Sequence, residues 1–460
     1  MDNWIRYSDK IERPVYITVM VNAMTELINI KDFKYLDRWV VFCKWVLSHS
    51  DPERVDGLPN PSDESKEYPD WGSPRRAVVD FIEACVKKDI EVPFSVRDGL
   101  AQLLYQTCTQ SDWRLDNNQL VLLNRNDPLS EAINQTRSIA LGVLLDFGFW
   151  VRRNLPEDTL LEVTNILSDR ISKKATFSLT QPEYAILGMH FSNLCTLNKN
   201  WAIEHKAQLF PQSDASLWLV AFESYICSNR PNLDIFNILK SEFEFALQNF
   251  SLILINNDND SKLVKRLGQH FLSYYLWEAY PLRGEDSFLE GYYQKTANDR
   301  KYWAMLFDHL GHLLGNSGKR LAIELTDRVI SFFNWRFDIS EPLELREFTF
   351  WLEADCLDSQ WRLSTYSKIL SLKYELKNGL YTELKTLNQL LLKHPSLTVE
   401  CFEKITKAIE QGTHLYLPVD GAKSILKFGL KSEESQVREH AKRARENLLR
   451  LGRFDFLDLD

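Results

Sequence analysis

The residues of this sequence best suited to chemistry are two histidines and a glycine-containing turn in "DHLGHLLGNSGKR", which starts at Asp308. His309 and His312 are three residues apart, so a helix would place both on one side, where they could hold a metal ion. The "GNSGK" that follows is similar to part of a phosphate-binding loop. The stretch therefore suggests either a catalytic centre or the end of a helix and a turn.

Counting residues decides between these alternatives. A nucleotide-binding loop has four residues between its first glycine and the Gly-Lys pair, and then Ser or Thr. Here Leu313 stands at the first-glycine position, and Arg320 follows Lys319 where a hydroxyl is needed. Zinc would need further ligands, and no Cys or His cluster is adjacent. We interpret the stretch as a helix end followed by a turn, and expect no metal and no cofactor.

Other catalytic signatures do not occur in the sequence. It contains no G-x-G-x-x-G for a dinucleotide and no G-x-S-x-G for a nucleophilic serine. The acidic stretch "NNDNDSK" lacks the glycine and the final glutamate of a calcium-binding loop. These observations favour a protein that is not an enzyme.

Composition limits the classes of partner. The 460 residues carry a formal net charge of -9, which argues against a general nucleic-acid binder because such proteins need concentrated lysine and arginine. No apolar run is long enough to span a membrane, and the N-terminal residues lack the apolar core of a signal peptide. The 7 cysteines are scattered among apolar residues and include no C-x-x-C pair. We expect buried, reduced thiols in a cytoplasmic protein.

Apolar residues recur at helical spacing almost throughout the chain. In "DPLSEAINQTRSIALGVLLDFGFWVRR" one predicted face consists of Ile133, Thr136, Ala140, Val143, Leu144, Phe147 and Val151. Predicted helix starts include Ser73, Ser432 and a capping box between Thr180 and Glu183. The pattern predicts about eighteen to twenty helices of roughly 14 to 22 residues, at least about 60% helix and essentially no sheet.

Many helices joined mostly by short turns indicate an all-α fold. We predict an α-solenoid of stacked antiparallel helix pairs, with degenerate HEAT-like or TPR-like repeats. The predicted domains are an N-terminal helical pair with a long loop in residues 1–70, the solenoid in 71–430, and a C-terminal helix with an acidic tail in 431–460. The last helix has an apolar seam, which suits a cap for the solenoid or a docking helix for another chain. The seam consists of Val437, Ala441, Ala444, Leu448 and Leu451.

Tryptophan and arginine in polar segments are the candidate partner-binding residues. Both residue types are common in binding hot spots because they combine a large contact area with directed hydrogen bonds. The alternative, which we favour, is that each tryptophan packs a turn onto a neighbouring repeat. The candidates are Trp71, Trp113, Arg114, Trp335, Arg336, Trp361 and Arg362.

Four segments resemble a known family: "WGSPRRAVVDFIEAC", "DPLSEAINQTRSIALGVLLDFGFWVRR", "LTQPEYAILGMHFSNL" and "FTFWLEADCLDSQWRL". They resemble the C-terminal helical regions of large bacterial STAND-type (NACHT/AVAST-like) ATPases of anti-phage defence, over much of residues 70–365. The resemblance implies a helical repeat that senses a foreign protein and thereby releases an ATPase and effector. This chain contains neither Walker motif. We therefore expect that module in an N-terminal portion outside this sequence or in another chain.

The leading hypothesis is a non-enzymatic, cytoplasmic helical-repeat protein that recognises another protein, either a phage protein or an ATPase or effector module. It would be the sensor or scaffold part of a bacterial antiviral defence system. One alternative is a HEAT-like nucleic-acid enzyme of the DNA glycosylase type, against which the acidic charge balance counts. Another is a structural subunit of a stable complex. No membrane association is expected.

Overall fold

The computed structural model describes residues 14–49, 71–109, 128–172, 178–255, 262–318, 320–372, 380–409 and 416–459. Helices make up 76% of these residues, and no strand occurs among them. The predicted all-α class and helix content are confirmed for this part of the chain. No helix in it is both long and apolar enough to cross a membrane.

The chain divides into two compact units. Unit 1 comprises Met1–Arg230 and Asp234–Asn256, and unit 2 comprises Pro231–Leu233 and Asn257–Asp460. The domain boundaries predicted at residues 70 and 430 remain predictions. Several features predicted from sequence lie outside the described residues, among them Trp113, Arg114 and most of the loop before residue 71.

The α-helices described up to residue 255 are, in chain order, α1 (Pro14–Asn29), α2 (Leu36–Leu47), α3 (Gly72–Val86), α4 (Arg97–Thr109), α5 (Pro128–Ala132), α6 (Thr136–Asn154), α7 (Leu161–Ile171), α8 (Gln181–Met189), α9 (Phe191–Leu197), α10 (Lys199–Glu204), α11 (Lys206–Leu209), α12 (Ala215–Ser228), α13 (Leu233–Gln248) and α14 (Phe250–Ile255). A short 3-10 helix, Phe94–Val96, precedes α4.

The helices described after residue 261 are α15 (Lys262–Leu276), α16 (Phe288–Lys295), α17 (Lys301–Gly315), α18 (Ile323–Ile339), α19 (Pro342–Leu345), α20 (Thr349–Glu353), α21 (Ser359–Ser371), α22 (Tyr381–Leu390), α23 (Pro395–Ala408), α24 (Val419–Lys431) and α25 (Ser435–Arg450). The 3-10 helices Arg346–Phe348 and Phe454–Phe456 accompany them.

In unit 1 the helices make two series of contacts. In the first series α1 contacts α3, α3 contacts α6, α6 contacts α8, and α8 contacts α12. In the second series α2 contacts α4, and α4 contacts α7. Helices that follow each other in sequence, such as α3 and α4, also touch. Helices α3, α4 and α6 thus pack against neighbours of both series.

Helices α8 and α12 approach each other closely at Gly188. A Cβ atom at this position would lie 2.1 Å from the carbonyl oxygen of Ala221 in α12. The obstructing atom belongs to the backbone, so it cannot rotate away as the end of a flexible side chain could. Only glycine fits here, and the contact fixes the distance between the two helices.

The last six α-helices of unit 2 repeat one arrangement. Helices α20, α22 and α24 contact one another in sequence order, and so do α21, α23 and α25. Within each successive pair the first helix also contacts the second: α20 with α21, α22 with α23, and α24 with α25.

Polar side chains link the second helices of these pairs. The Nζ atom of Lys404 in α23 donates to the Ser367 hydroxyl of α21 at 2.6 Å. The Arg443 guanidinium of α25 donates to Glu403 of α23 at 2.8 Å, and His440 bonds the same carboxylate. Burial acts to raise the pKa of Glu403, but the bonds from Arg443 and His440 outweigh it and hold that pKa below its usual value.

Helix α25 confirms most of the predicted apolar seam. Val437, Ala441, Ala444 and Leu448 are fully buried, and α25 contacts both α23 and α24. The tail also packs back, because Phe456 and Leu459 are buried and Arg445 donates to the backbone oxygen of Leu459. The seam is therefore covered by this chain itself, which favours the cap over the docking helix.

Several predicted helix boundaries and lengths are wrong. The helix predicted through Ile133 is interrupted between α5 and α6, and Ile133 is exposed. The N–H groups of Asn134 and Gln135 both donate to Glu131, and the Asn134 side chain bonds Ser130, so a turn competes with the helix.

The predicted starts at Ser73 and Ser432 also differ from the structure. Trp71 occupies the N-cap position of α3, and Glu434 that of α25. Helices α8 to α11 are far shorter than predicted. One reason is that Asn198 caps α10 by accepting from the Trp201 N–H, which starts a new helix there.

We predict opposite effects for two helical glycines. Gly188→Ala should lower the free energy of unfolding by at least about 2 kcal/mol, because the methyl group would force α8 and α12 apart. Gly142→Ala in α6 is the matched control. Its Cβ would only come within 3.6 Å of the His190 ring, so helix propensity should stabilise the protein by up to about 1 kcal/mol. Urea unfolding measures both, and equal effects would contradict the close-approach argument.

We further predict a pH-dependent loss in Glu403→Gln. Folding lowers the pKa of Glu403. Its contribution to the free energy of unfolding is therefore present above the pKa that Glu403 has in the unfolded chain. It is lost as the pH falls through the folded-state pKa. The variant should be less stable by about 1–2 kcal/mol at pH 7, with a difference that vanishes in acid.

Urea unfolding over a pH series checks this prediction. Glu446→Gln is the control, because the pair that Glu446 forms with Arg450 at 3.8 Å is exposed, and such pairs contribute little. A pH-independent loss in Glu403→Gln would contradict the prediction.

Candidate functional site

The two histidines that opened the sequence analysis lie at the end of α17. His312 Nε2 is 3.6 Å from Asp308 Oδ2, and the His312 ring packs on Phe350. Burial and the nearby Arg266 lower the pKa of His309. Within the described residues no group of three or more His, Cys, Asp or Glu side chains is arranged to hold a metal ion.

The interpretation of this stretch as a helix end and turn is confirmed. Helix α17 ends at Gly315, and the N–H of Asn316 donates to His312 O at 3.1 Å. Gly318 has a φ of +57°, in the left-handed region that glycine adopts easily. Leu313, at the position of the missing first glycine, lies in the last turns of the helix.

Trp71 is buried at the start of α3. Its ring stacks on His49 with the centroids 4.2 Å apart and meets Trp45 edge-on. Arg75, one turn further on, donates to the backbone oxygen of His49 at 2.7 Å. These contacts hold the start of α3 against the end of α2.

Trp335 and Arg336 belong to a closed cluster in unit 2. The buried Arg336 guanidinium donates to both carboxylate oxygens of Glu344, at 2.8 Å and 3.0 Å from Nε and 2.8 Å from Nη2. It lies 3.9 Å from the ring centre of Tyr293, 4.6 Å from that of Trp303 and 4.8 Å from that of Trp335. Aromatic faces attract such a cation.

The cluster is built around a fully buried carboxylate. The Tyr293 hydroxyl donates to Glu344 at 3.2 Å, so three donor atoms, two of them from the Arg336 guanidinium, surround an acid that water does not reach. Burial raises the pKa of Glu344, although the bonds and charge of Arg336 act to lower it. The arrangement resembles the aromatic cages that bind cationic ligands, but here the protein's own arginine fills the cage.

Trp361 and Arg362 hold the start of α21 against the segments that precede it. Trp361 is half-buried on the rings of Phe333 and Phe348. Its backbone N–H donates to the capping carboxylate of Asp358 at 2.8 Å. The buried Arg362 donates to Leu352 O at 2.7 Å and to Asp355 at 3.0 Å.

All the described Trp and Arg candidates are thus engaged inside the fold. Trp71, Trp335, Arg336 and Arg362 are buried, and Trp361 is half-buried. This favours packing over partner binding for these five residues. Their binding role, and that of Trp113 and Arg114, remains a prediction.

A second buried carboxylate lies in unit 1. Glu183 is fully buried and accepts from Arg170 at 2.8 Å and 2.7 Å, with Arg137 3.0 Å away. The predicted capping box is confirmed, and the N–H of Thr180 donates to Glu183 at 2.8 Å. The sequence pattern identified the cap but not the two arginines, because no local spacing connects them to Glu183.

A serine and a histidine meet between α21 and α23. The Ser359 hydroxyl lies 2.8 Å from His394 Nε2, which is the spacing of a nucleophile and its base. Lys393 Nζ donates to the same oxygen at 2.7 Å, and Ser359 is buried at the start of α21. The three residues therefore act as another link between successive helix pairs.

Two exposed tyrosines form the most accessible aromatic feature among these pairs. Tyr381 at the start of α22 is 66% exposed, and Tyr416 before α24 is 68% exposed. The N–H of Leu380 donates to Tyr416 O at 3.2 Å, so the two are held beside each other. Their neighbours Leu380 and Leu417 are buried and anchor the backbone. We call Tyr381 and Tyr416 the tyrosine edge; sequence analysis, which concentrated on tryptophan, missed it.

Comparison with protein-family models gives no match, and neither does comparison with the curated proteins. Any functional assignment therefore depends on the residues described above and on the resemblance of the four sequence segments.

We predict that Arg336→Met destabilises the protein by about 3–5 kcal/mol, because Glu344 would remain buried without its cation. The double variant Arg336→Met/Glu344→Leu should recover most of this loss. Arg450→Met, which removes an exposed cation, should change stability by less than about 0.5 kcal/mol. Chemical denaturation gives all three values. A fully stable Arg336→Met protein would contradict the structural role.

Proposed function

We propose that this chain is an α-solenoid that binds another protein, as the sensor or scaffold part of a bacterial anti-phage defence system. The observation that carries the solenoid is the repeated contact pattern of α20 to α25. First helices begin at Thr349, Tyr381 and Val419, and second helices at Ser359, Pro395 and Ser435. This spacing of 32 to 40 residues covers the period of TPR repeats and reaches that of HEAT repeats.

A stack of this kind supports a binding role. Each pair contacts only its neighbours, so stacking builds a long surface. The side chains exposed on that surface are not needed for the hydrophobic core. The tyrosine edge lies on two successive pairs and presents exposed aromatic side chains whose backbone is anchored by the buried Leu380 and Leu417. Tyrosine is among the residues that contribute most to protein interfaces, which supports a protein as the partner.

The defence assignment depends on a different observation. It comes from the resemblance of four segments within residues 70–365 to the helical sensor regions of STAND-type ATPases. On this proposal the ligand is a phage protein or an ATPase or effector module. No catalytic step is assigned to the chain.

The experiment compares proteins that co-purify with the tagged chain from its native host, before and after phage infection. We predict that Tyr381→Ala/Tyr416→Ala loses a partner at least about tenfold, corresponding to about 1.4 kcal/mol of binding energy. Tyr105→Ala is the control, since Tyr105 is an exposed tyrosine of α4 in unit 1. Equal recovery of every partner by the double variant would contradict the role of the tyrosine edge.

The alternative classes are separated by two further measurements. Mobility shift with duplex DNA over a salt series would reveal a nucleic-acid enzyme, because phosphate-driven binding weakens steeply with salt. A partner that stays bound in constant proportion, with or without infection, would indicate a structural subunit instead of a sensor.

A further inference from the structure

Helix α1 carries two apolar faces. The inner face, Ile17, Val21, Met24 and Ile28, is buried, and α1 packs on α3 and α2. A second apolar stripe, which we call the outer seam, runs along another side of the same helix. The outer seam consists of Tyr16, Met20, Ala23, Leu27 and Ile30. Ile30 follows the last helical residue, and its N–H still donates to Glu26 O.

The described residues of unit 1 leave the outer seam partly exposed. Tyr16 is 56% exposed and Ile30 is 71% exposed, Ala23 is exposed, and Met20 and Leu27 are half-buried. Within Pro14–Asn29 the only charged residue is Glu26. Helix α25, of equal length, has one buried stripe and otherwise mostly charged or polar residues. The polar residues of α1, among them Asn22 and Glu26, lie together on one side, and an exposed apolar stripe elsewhere on a helix marks an interaction site.

The spacing of the outer seam indicates what covers it. Its residues follow one another at intervals of four, three, four and three. This is the repeat by which one α-helix packs along another in a coiled coil. Such spacing fits a second helix with an apolar stripe of its own as the occupant.

We propose that the occupant is α1 of a second copy of this chain, antiparallel to the first, with the two-fold axis at Ala23. A two-fold interface must be self-complementary, and the outer seam is arranged symmetrically about its smallest residue. Ala23 would face Ala23 of the partner subunit, Met20 would face Leu27 of the partner subunit, and Tyr16 would face Ile30 of the partner subunit. The small central residue allows the helices to approach closely.

The charge of Glu26 determines the orientation. In a parallel pair the two Glu26 carboxylates would lie at the same level and repel each other. In the antiparallel pair they are displaced by about 9 Å along the helix axis, six residues at 1.5 Å each. Antiparallel helix dipoles also oppose each other favourably.

The size of the outer seam predicts a reversible dimer. It is about 22 Å long and one helix, or about 10 Å, wide. That footprint is well below the roughly 800 Å² that each subunit contributes to a standard interface. Monomer and dimer should therefore exchange with protein concentration.

Sedimentation velocity of the full chain tests the proposal between about 1 µM and about 100 µM, a range in which weak complexes dissociate. We expect the wild type to shift from monomer to dimer across this range. Ala23→Glu should stay monomeric, because it places two carboxylates on the two-fold axis. Asn22→Glu adds the same charge to the neighbouring exposed position outside the outer seam and should dimerise like the wild type. Circular dichroism should show equal helix content in all three proteins.

A mixing experiment tests the two-fold axis itself. Ala23→Lys alone should also be monomeric, and an equimolar mixture of Ala23→Glu and Ala23→Lys should recover the dimer by pairing opposite charges. A wild type that is monomeric throughout would overturn the proposal and leave the outer seam to a different protein. An Ala23→Glu dimer, or a mixture that does not associate, would overturn the antiparallel contact at Ala23.

Discussion

A pair of packed helices still has apolar surface on two sides, and water must be kept from both. In the described part of this chain most helices meet that requirement with neighbours that come earlier and later in sequence. Helix α23, for example, contacts α21 on one side and α25 on the other. The same dependence explains Gly188, where two backbones approach too closely for any side chain. Packing of this kind leaves α23 dependent on both neighbours for the burial of its apolar side chains.

Buried charges also connect helices that are separate in sequence. Glu183 and Glu344 are fully buried carboxylates, and each is bonded by arginine. Taking such groups out of water costs several kcal/mol, which only well-formed bonds offset. Their geometry is therefore specific. The four-residue helix α19 holds its place on α18 through Glu344 and Arg336, although a helix of that length has little stability of its own.

The sequence predicted a feature correctly when the residues that form it lie close together in the chain. The end of α17 after His312 and the capping box at Thr180 were predicted correctly, because both depend on residues within a few positions. The interruption after Ile133 was missed, since the apolar spacing continues through it while Asn134 bonds its own backbone. Trp335 and Arg336 were taken as candidates for binding because of residue type alone. Tyr293, one of the three rings around Arg336, is 42 residues from Trp335 in the chain. No local sequence pattern indicates such a contact.

The links between second helices have a mechanical consequence. Lys404 bonds Ser367 between α23 and α21, and Arg443 bonds Glu403 between α25 and α23. Lys393, two residues before α23, bonds Ser359 at the start of α21, and all three contacts involve a charged group near the surface. Dissolved ions weaken partly exposed charge pairs, whereas the apolar contacts beneath them do not depend on charge. We expect the polar contacts on this side of α21, α23 and α25 to weaken as salt is added. Under a force that separates these helices, we expect the polar hydrogen bonds to break before the apolar contacts.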